Sequence, residues 1–505
     1  MITGKNVYWF PVDENRVLFV DDYYVAEIRG LRRTLHQPTK HPANPLITGD
    51  TPWEGNSAVL HGSLLLDPID GLYKSWYNSK LGVSYAQSTD GINWEKPSFY
   101  LFPHNGLPTN IVYRGFDPEL LEQRQFNLDN VSVFVAADDP YPERRYRLFT
   151  YQGPITDEAR KEHPNGVGHY IAYSPDGIHW QARSEPVLTI EDDPELSDCH
   201  TCMYDYLEDR FIAFTKRHIV RSDGTGDQGV TQRARGISFS DDFEHWTKPY
   251  TCLTPDDYDD RSVNLYNMSG FVYEDMYLGF LELYYSGDNQ PSELARAKDV
   301  QLITSRDGEH WWRAGDRKPF LSPSGVPGNW DAYMLDINSS GPIFQGDKLW
   351  IYYGGRAHHH VPLTSRIGRT MFPQDEKFAA IGLAILRRDG FVSYDATMEE
   401  GVLTTKPILF ELGGTLHVNA DVRGELKAEV VSVIQADAPR TEPAWRLRVG
   451  NPVENFTASD SRSIVEDTLD GILGWSSGDL KRFRGQLIVL RFYLKDTSLY
   501  SFWIE

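Results

Sequence analysis

The stretch Ser88-Thr-Asp90-Gly91-Ile-Asn-Trp94 decides the fold, because the chain repeats it. Further copies are Ser174-Pro-Asp176-Gly177-Ile-His-Trp180, Ser240-Asp-Asp242-Phe-Glu-His-Trp246, Ser305-Arg-Asp307-Gly308-Glu-His-Trp311 and a weaker Arg388-Asp389-Gly390. Each copy follows an apolar run. Asp-Gly between extended runs predicts a two-residue hairpin, because glycine adopts positive φ without strain. The tryptophan should begin the partner strand and pack on the neighbouring unit. Five copies predict five repeated units.

Each unit contains enough apolar runs for four strands. In the first unit, residues 57–67 and 72–77 alternate or run apolar, and they precede the strand that leads into the repeated stretch. Four strands in about forty residues match one propeller blade. The sequence therefore predicts an all-β chain with a five-bladed β-propeller over residues 51–400. Residues 1–50 should form a leader strand and an extended segment that packs on or closes the ring, and residues 401–505 a small β-sandwich.

The composition limits the partners. The chain has 505 residues, a net charge of −22 and 13% aromatic residues. Such an acidic chain is repelled by phosphate backbones and anionic membranes, so we expect neither nucleic acid nor membrane as a partner. No stretch resembles a signal peptide or a bilayer span, which predicts a cytoplasmic protein. The oligomeric state stays open.

The cysteines do not indicate a metal or redox centre. Cys199 and Cys202 have CxxC spacing, but their surroundings predict a strand, where residues three apart face opposite sides. With only Cys252 in addition, a disulfide framework is not indicated. We expect no cofactor, and a structural Ca²⁺ in the axial channel stays an open alternative.

The candidate catalytic residues are acids that precede or begin the innermost strands. In a propeller these strand starts converge on one funnel, although they are far apart in sequence. Asp198, Asp129 and Asp331 occupy such positions. Glycosidic bond cleavage needs one carboxyl group to protonate the leaving oxygen and a second to attack or to activate water. A turn-forming or surface acid is the competing interpretation of each, and the recurrence at one phase favours the catalytic one.

A second set of residues is predicted to bind substrate. Arginine could hold a substrate oxygen, an acid inside an apolar strand needs a partner or a pocket, and aromatic rings can stack on sugars. Surface ion pairs and core packing are the competing interpretations. The predicted set is Trp53, Glu54, His200, Arg217, Tyr266, Glu282, Trp330, Arg356 and His358.

The S-x-D-G-x-x-W hairpins, the acids at inner strand starts and the C-terminal β-segment resemble the five-bladed propeller glycoside hydrolases of families 32, 43, 68, 117 and 130. The chain looks closest to proteins with a family-32-like N-terminal domain, over roughly residues 50–400 and 405–505. The resemblance implies a propeller with central carboxylates. The fructosidase run of the Trp-Met-Asn-Asp-Pro type is absent, and Trp53-Glu54-Gly-Asn56 stands in the first unit instead.

We therefore predict a glycoside hydrolase that cleaves a short oligosaccharide or glycoside, a furanoside being one candidate. The partner is a small carbohydrate. Two alternatives remain open. One is a glycoside phosphorylase on the same scaffold, with Arg217, Arg356 and His358 as phosphate ligands. The other is a sugar-binding propeller without catalysis.

Overall fold

A computed structural model describes residues 10–12, 15–220, 231–260, 262–286, 297–360, 378–435 and 447–505. The chain is nearly all-β, as predicted. It forms two compact units. The larger consists of Pro38–Arg313 and Pro319–Leu386, and the smaller of Met1–Gln37, Ala314–Lys318 and Arg387–Glu505. The boundaries predicted near residues 50 and 400 stay a prediction.

The larger unit contains five groups of strands, which we number in chain order. Group one is Val59–Leu66, Tyr73–Ser79, Gly82–Ser88 and Ile111–Tyr113. Group two is Phe126–Val135, Tyr146–Pro154, Gly168–Ser174, Gln181–Ala182 and Leu188–Thr189. Group three is Thr201–Asp205, Arg210–Val220, Thr231–Ser240 and Tyr250–Leu253.

Groups four and five share one eleven-stranded sheet, joined by a single parallel pair, Lys298 with Met334. Group four is Val263–Tyr273, Met276–Tyr285, Lys298–Ser305, Trp312–Arg313 and Pro319–Leu321. Group five is Met334–Ile337, Ile343–Gln345, Lys348–Arg356, Ala379–Arg387, Thr39–Lys40 and Ile47–Thr48. The last two strands come from the start of the chain and pair antiparallel with Ala379–Arg387.

Contacts link the five groups in a closed cycle, and the contact between groups four and five uses Glu282 on the second strand of group four. They run from group to group through Val133 N to Ser63 Oγ (2.8 Å), Cys202 N to Ser132 Oγ (2.9 Å), Thr201 Oγ1 to Met268 O (2.5 Å), Ile337 N to Glu282 Oε1 (2.8 Å) and Ser339 N to Gly62 O (3.1 Å). The fifth group thus returns to the first through the contact of Ser339 with Gly62.

The repeated stretch forms a wider turn than predicted. In group two, strand pairing resumes between Tyr173 and Gln181, so the two-residue hairpin prediction is wrong. Ser174 Oγ accepts hydrogen bonds from the amides of Asp176 (3.2 Å) and Gly177 (2.9 Å), and Asp176 Oδ1 accepts from the next two amides. These side-chain acceptors stabilise the longer connection. The predicted positive φ is confirmed at Gly177, where φ is 76°.

The tryptophan of each turn packs on the preceding group in the cycle, as predicted. The ring pairs are Trp94 with Tyr352 (6.1 Å), Trp180 with Tyr113 (6.5 Å), Trp246 with Phe149 (5.0 Å) and Trp311 with Phe214 (5.4 Å). Aromatic pairs of this kind contribute about 0.5–1.5 kcal/mol each beyond their buried area. The repeat therefore joins neighbouring groups. The fifth copy differs, because Asp389 lies in the smaller unit and bonds Arg16 and Ser501.

The smaller unit is built on an eleven-stranded sheet. Its longest strands, Leu416–Gln435 and Ile488–Ile504, pair antiparallel along most of their length. The other strands are Phe10–Pro11, Val17–Leu18, Val25–Arg29, Leu31–Leu35, Val392–Ala396, Gly401–Thr405, Ile408–Leu409, Leu447–Pro452 and Thr468–Leu473. The β-sandwich predicted for residues 401–505 stays a prediction.

Helices are short. The α-helices are Pro118–Glu122 and Asp157–Glu162, the 3₁₀ turns are Pro142–Arg144, Gly315–Arg317 and Leu480–Phe483, and a separate hairpin pairs Phe99–His104 with Leu107–Thr109. Within the described ranges, no helix has the length and apolar character needed to cross a membrane.

Candidate active site

A cluster of charged side chains lies where the first strands begin. Its centre is Asp336, whose side chain is fully buried. The carboxylate accepts hydrogen bonds from Arg356 Nε (2.8 Å) and Lys298 Nζ (2.6 Å), and His61 Nε2 lies 3.1 Å from Oδ1. Burial alone would raise the pKa of Asp336, but these neighbouring positive charges hold it well below its usual value. Asp336 is therefore a charged anchor that positions three basic groups.

His61 connects this anchor to Asp129. Its Nδ1 lies 3.4 Å from Asp129 Oδ1, and its Nε2 lies 2.9 Å from Arg356 Nη2. Burial lowers the pKa of His61 and so does Arg356, but the carboxylates of Asp336 and Asp129 outweigh both and raise the pKa to about 9. The protonated imidazole can therefore donate a hydrogen bond to each carboxylate at neutral pH.

Lys298 forms a second buried junction. Its ammonium group donates to Glu282 Oε2 at 2.8 Å and to Asp336 at 2.6 Å, and all three side chains are at most 1% exposed. Glu282 also accepts the backbone amide of Ile337 at 2.8 Å. The acid inside an apolar strand thus has the partner that a buried charge requires. It is placed to support Lys298 rather than to face a ligand.

Tyr266 lies among the positive charges of the cluster. The Lys298 ammonium group is 4.3 Å from its ring centroid, and the Arg233 guanidinium is 4.7 Å from it. Its hydroxyl lies 3.1 Å from His360 Nε2. Two cations over one ring are favourable because the ring face is negative. Tyr266 therefore helps to hold like charges close together.

Asp198 occupies the start of the third group. Lys216 Nζ donates to its carboxylate at 2.9 Å, and the side chain of Asp198 is 37% exposed. Burial raises the pKa of Asp198, but Lys216 and Arg233 outweigh burial and bring the pKa to about 2. The carboxylate is therefore ionised at any physiological pH. Asp129, at 33% exposure, is similarly accessible.

The backbone turns sharply after each of these two acids. Asn130, which follows Asp129, has φ of 45°, and Cys199, which follows Asp198, has φ of 63°. Left-handed conformations in residues other than glycine cost roughly 1–3 kcal/mol and concentrate at functional sites. Two buried hydrogen bonds hold these turns. Arg235 Nη2 donates to the Cys199 carbonyl at 2.8 Å, and Asn130 Nδ2 donates to the His200 carbonyl at 2.8 Å.

Two neighbouring groups respond to both carboxylates. The pKa of Tyr151 is raised to about 12 by burial and by the charges of Asp198 and Asp129. The pKa of the Cys199 thiol is also raised to about 12, by burial first and by the same two charges in addition. Asp129 and Asp198 therefore act on one common region.

The structure brings five of the predicted residues into this cluster: Asp129, Asp198, Tyr266, Glu282 and Arg356. The others make their contacts elsewhere. Asp331 bonds Lys40 (2.5 Å) and Tyr353 (3.3 Å), and Trp330 stacks on Tyr353. Trp53 donates to Asn110 (2.6 Å), while fully buried Glu54 is held by Tyr77 (2.5 Å) and Lys96 (2.8 Å). Arg217 pairs with Asp193 (2.5 Å), and His358 contacts the His359 carbonyl (3.1 Å). The site roles predicted for these residues stay predictions.

His200 belongs to a buried aromatic cluster. It is fully buried, 4.5 Å from the ring of His169 and 5.3 Å from that of Phe149. Burial and the neighbouring His169 lower the pKa of His200 well below its usual value.

The two cysteines with CxxC spacing lie in different hydrophobic clusters. Cys202 packs with Phe149, whereas Cys199 packs with Tyr266. In the described part of the chain, no three His, Cys, Asp or Glu side chains are grouped as metal ligands.

Sequence reasoning missed four members of the cluster, namely His61, Lys216, Arg233 and Lys298, and it preferred Asp331 to the deeper Asp336 of the same unit. One signal was present. The run Asn127-Leu-Asp129-Asn130-Val-Ser recurs as Asn264-Leu-Tyr266-Asn267-Met-Ser and, more weakly, as Leu335-Asp336-Ile-Asn-Ser. Aligning these runs would have placed Asp336, rather than Asp331, beside Asp129. His61 lies on a first strand, Lys216 on a second strand, and Arg233 and Lys298 on third strands. In the sequence these strands have the pattern of ordinary apolar runs.

Comparisons with known proteins give structural likeness only. No family model matches the sequence, and no curated protein matches it significantly. The fold is similar to an N-acetylgalactosamine deacetylase from F. plautii solved with blood group B trisaccharide, at 16% identity, 72% of this chain, 97% of that chain and TM-score 0.46. It is also similar to a glycosyl hydrolase from Bacteroides ovatus (13%, 74% and 96%, TM-score 0.46). A third is a β-1,2-mannobiose phosphorylase from Listeria innocua (13%, 70% and 97%, TM-score 0.41).

Proposed function

We propose that the five strand groups are the blades of a five-bladed β-propeller. The closed cycle of contacts between the groups supports this arrangement, because a ring returns the fifth group to the first. Thr39–Lys40 and Ile47–Thr48 complete the fifth blade from the start of the chain. The funnel at the strand starts is then the place for a ligand.

We propose that this funnel is the active site of a glycoside hydrolase that cleaves a short oligosaccharide or glycoside. The observation that carries the proposal is the pair of partly exposed carboxylates, Asp129 and Asp198, each on a strained turn and each held by basic groups. Two carboxyl groups facing one space are the requirement of glycosidic cleavage.

The environments of the two acids suggest different roles. Asp198, with its pKa near 2, is the permanently ionised member and suits the nucleophile or the base that activates water. Asp129 is the second accessible carboxyl group of the pair, with His61 Nδ1 3.4 Å from its Oδ1. With Asp198 as the ionised member, Asp129 is assigned the general acid that protonates the leaving oxygen. Asp336 acts through His61 and Arg356, as a positioning residue.

The test is sugar release from a panel of pentofuranosides, fructosides and mannosides, measured with and without phosphate. Wild type is compared with Asp198→Asn and Asp129→Asn. Each variant should lose at least a thousandfold in kcat/KM, because each removes one of two carboxylates that act together. Asp347→Asn, at an exposed hairpin position, is the matched control and should be unchanged.

The two roles can then be separated with leaving groups. A substrate with a good leaving group, such as a nitrophenolate, needs little protonation. Asp129→Asn should therefore recover much of its rate on that substrate, whereas Asp198→Asn should not. Equal recovery by both variants would contradict the assignment of roles, and unchanged release by either would remove that residue from the mechanism.

A glycoside phosphorylase is the second candidate. It is favoured by the number of basic side chains in the cluster, namely His61, Lys216, Arg233, Lys298 and Arg356. Phosphate would use such groups as ligands. Release of sugar phosphate that requires phosphate would select this activity. Sugar binding without turnover of any substrate would indicate the third alternative, a sugar-binding propeller without catalysis.

A further inference from the structure

A cavity lies at the other ends of the first strands, away from the candidate active site. It measures about 910 Å³, within the range of about 300–1,000 Å³ that ligand sites occupy. Its lining includes Val133, Met203 and Ile343, which come from groups two, three and five. None of the candidate active-site residues lines it.

The two sites are separated along the strand direction. Asp129 and Phe134 lie on the same first strand, five residues apart, and Phe134 lines the cavity. At about 3.3 Å per residue this is roughly 17 Å. Buried Ser63, Ser132 and Thr201 form the cross-strand contacts between the two levels. One small ligand cannot occupy both places.

Aromatic rings from groups two to five line the cavity. Tyr204 and Tyr206 contact edge to face at 5.0 Å, and Tyr273 and Phe344 stack at 5.5 Å. Tyr206 is 74% exposed and Phe344 is 47% exposed, although large aromatic side chains are usually covered. Exposed ring faces attract the weakly positive C–H groups of a ligand, because the face of the ring is negative.

The charges of the lining select against an anionic ligand. Arg147 pairs with Asp139 at 2.6 Å, so the guanidinium is already neutralised. Asp138 is exposed and repels anions, yet its oxygens can accept hydrogen bonds. A purely apolar ligand would cover Asp138 without replacing its water, which is costly. A neutral chain of sugars satisfies rings and carboxylate together, because it has C–H faces and hydroxyl donors.

We propose that this cavity is a second carbohydrate-binding site, distinct from the active-site funnel, that takes a segment of a neutral polysaccharide. This proposal rests on the proposed function in one respect, namely that the ligand of both sites is a carbohydrate. Such a site would hold the protein on a polymer while the funnel acts on free ends or short chains nearby.

The test is native electrophoresis in gels that contain inulin, arabinan, mannan or soluble starch. At least one polymer should retard wild type. The double variant Tyr206→Ala/Phe344→Ala should lose at least tenfold in affinity for that polymer, about 1.4 kcal/mol. Tyr100→Ala is the matched control, because Tyr100 is 75% exposed and does not line the cavity. Titration calorimetry with a hexasaccharide of the retarding polymer gives the affinities.

Asp198→Asn separates this site from the funnel. It should abolish turnover but keep retardation, and retardation that survives would support the second site even if no substrate is ever turned over. The proposal is overturned if no polymer retards wild type, if Tyr100→Ala loses as much as the double variant, or if retardation depends on Asp198 and not on the two rings. Binding only of the apolar dye anilinonaphthalene sulfonate would also overturn the carbohydrate assignment. Matching circular dichroism and melting curves establish that the variants are folded.

Discussion

Replacing Lys298 by methionine should strongly destabilise the larger unit. The ammonium group of Lys298 is the common partner of Glu282 and Asp336, and all three side chains are at most 1% exposed. Methionine keeps most of the volume and removes the charge. Glu282 then keeps only the amide of Ile337, while Asp336 keeps Arg356 and His61. Removing one partner of a buried ion pair costs about 3–5 kcal/mol, and we expect a loss of that size.

The measurement is urea unfolding at pH 7, followed by the fluorescence of the tryptophans. Lys348→Met is the control, since Lys348 is half exposed and pairs with Asp347 at 3.7 Å; its effect should stay within about 0.5 kcal/mol. Adding Glu282→Gln to Lys298→Met should recover part of the loss, because glutamine can still accept the Ile337 amide without a charge. A loss below about 1 kcal/mol for Lys298→Met, or no recovery in the double variant, would refute the view that Lys298 neutralises two buried acids.

Three further predictions concern the repeated turn and the pH dependence of stability. Ser174→Ala removes the acceptor of two turn amides and should lower the free energy of unfolding in urea by about 1 kcal/mol. Gly177→Ala should lower it more, because φ is 76° at Gly177 and a Cβ there would lie 2.6 Å from Trp76. Equal effects of the two variants would contradict this. Asp198 has a pKa near 2 in the folded protein, below its usual value. Its carboxylate therefore stabilises the fold above pH 4, and this contribution is lost as the pH falls through 2. Asp198→Asn should be less stable than wild type at pH 6, and the difference in the free energy of unfolding should shrink at pH 2. Burial and Arg235 lower the pKa of His169 to about 3, so the unfolded chain takes up this proton at a higher pH than the folded chain does. The free energy of unfolding should therefore fall from pH 6.5 towards pH 3 by up to about 1.4 kcal/mol per pH unit. His169→Phe should reduce that slope, and an unchanged slope would contradict the assignment.

The sequence predicted the repeat well because the repeat is local chemistry. Ser174, Asp176, Gly177 and Trp180 act within one turn, and each can be identified from residue type and spacing. The length of the connection was misjudged for a physical reason. Side-chain oxygens of Ser174 and Asp176 replace backbone acceptors, which makes a wider turn as stable as the two-residue one that Asp-Gly usually indicates.

The site was predicted only in part because its members meet through the ring. Asp129 and Asp198 could be proposed from their position at strand starts. Lys298 and Arg356 could not be placed together, since they are brought to Asp336 from third and second strands of different groups. Asp331 had the expected position in the sequence of the fifth group, yet Lys40, from the start of the chain, binds it. A distant partner of this kind leaves no local pattern.

The cluster also shows how one backbone position can carry different chemistry in each group. His61 lies two residues before Ser63, and Asp129, Asp198, Tyr266 and Asp336 lie three residues before Ser132, Thr201, Ser269 and Ser339, so these five positions correspond. A ring of five identical acids would be unstable, because like charges at close range raise each other's pKa and repel. Placing an imidazole and a phenol at two of the five positions, and supplying cations from other strands, limits this repulsion and leaves Asp129 and Asp198 accessible. The departure from exact repetition is therefore what allows a repeated fold to have a single asymmetric site.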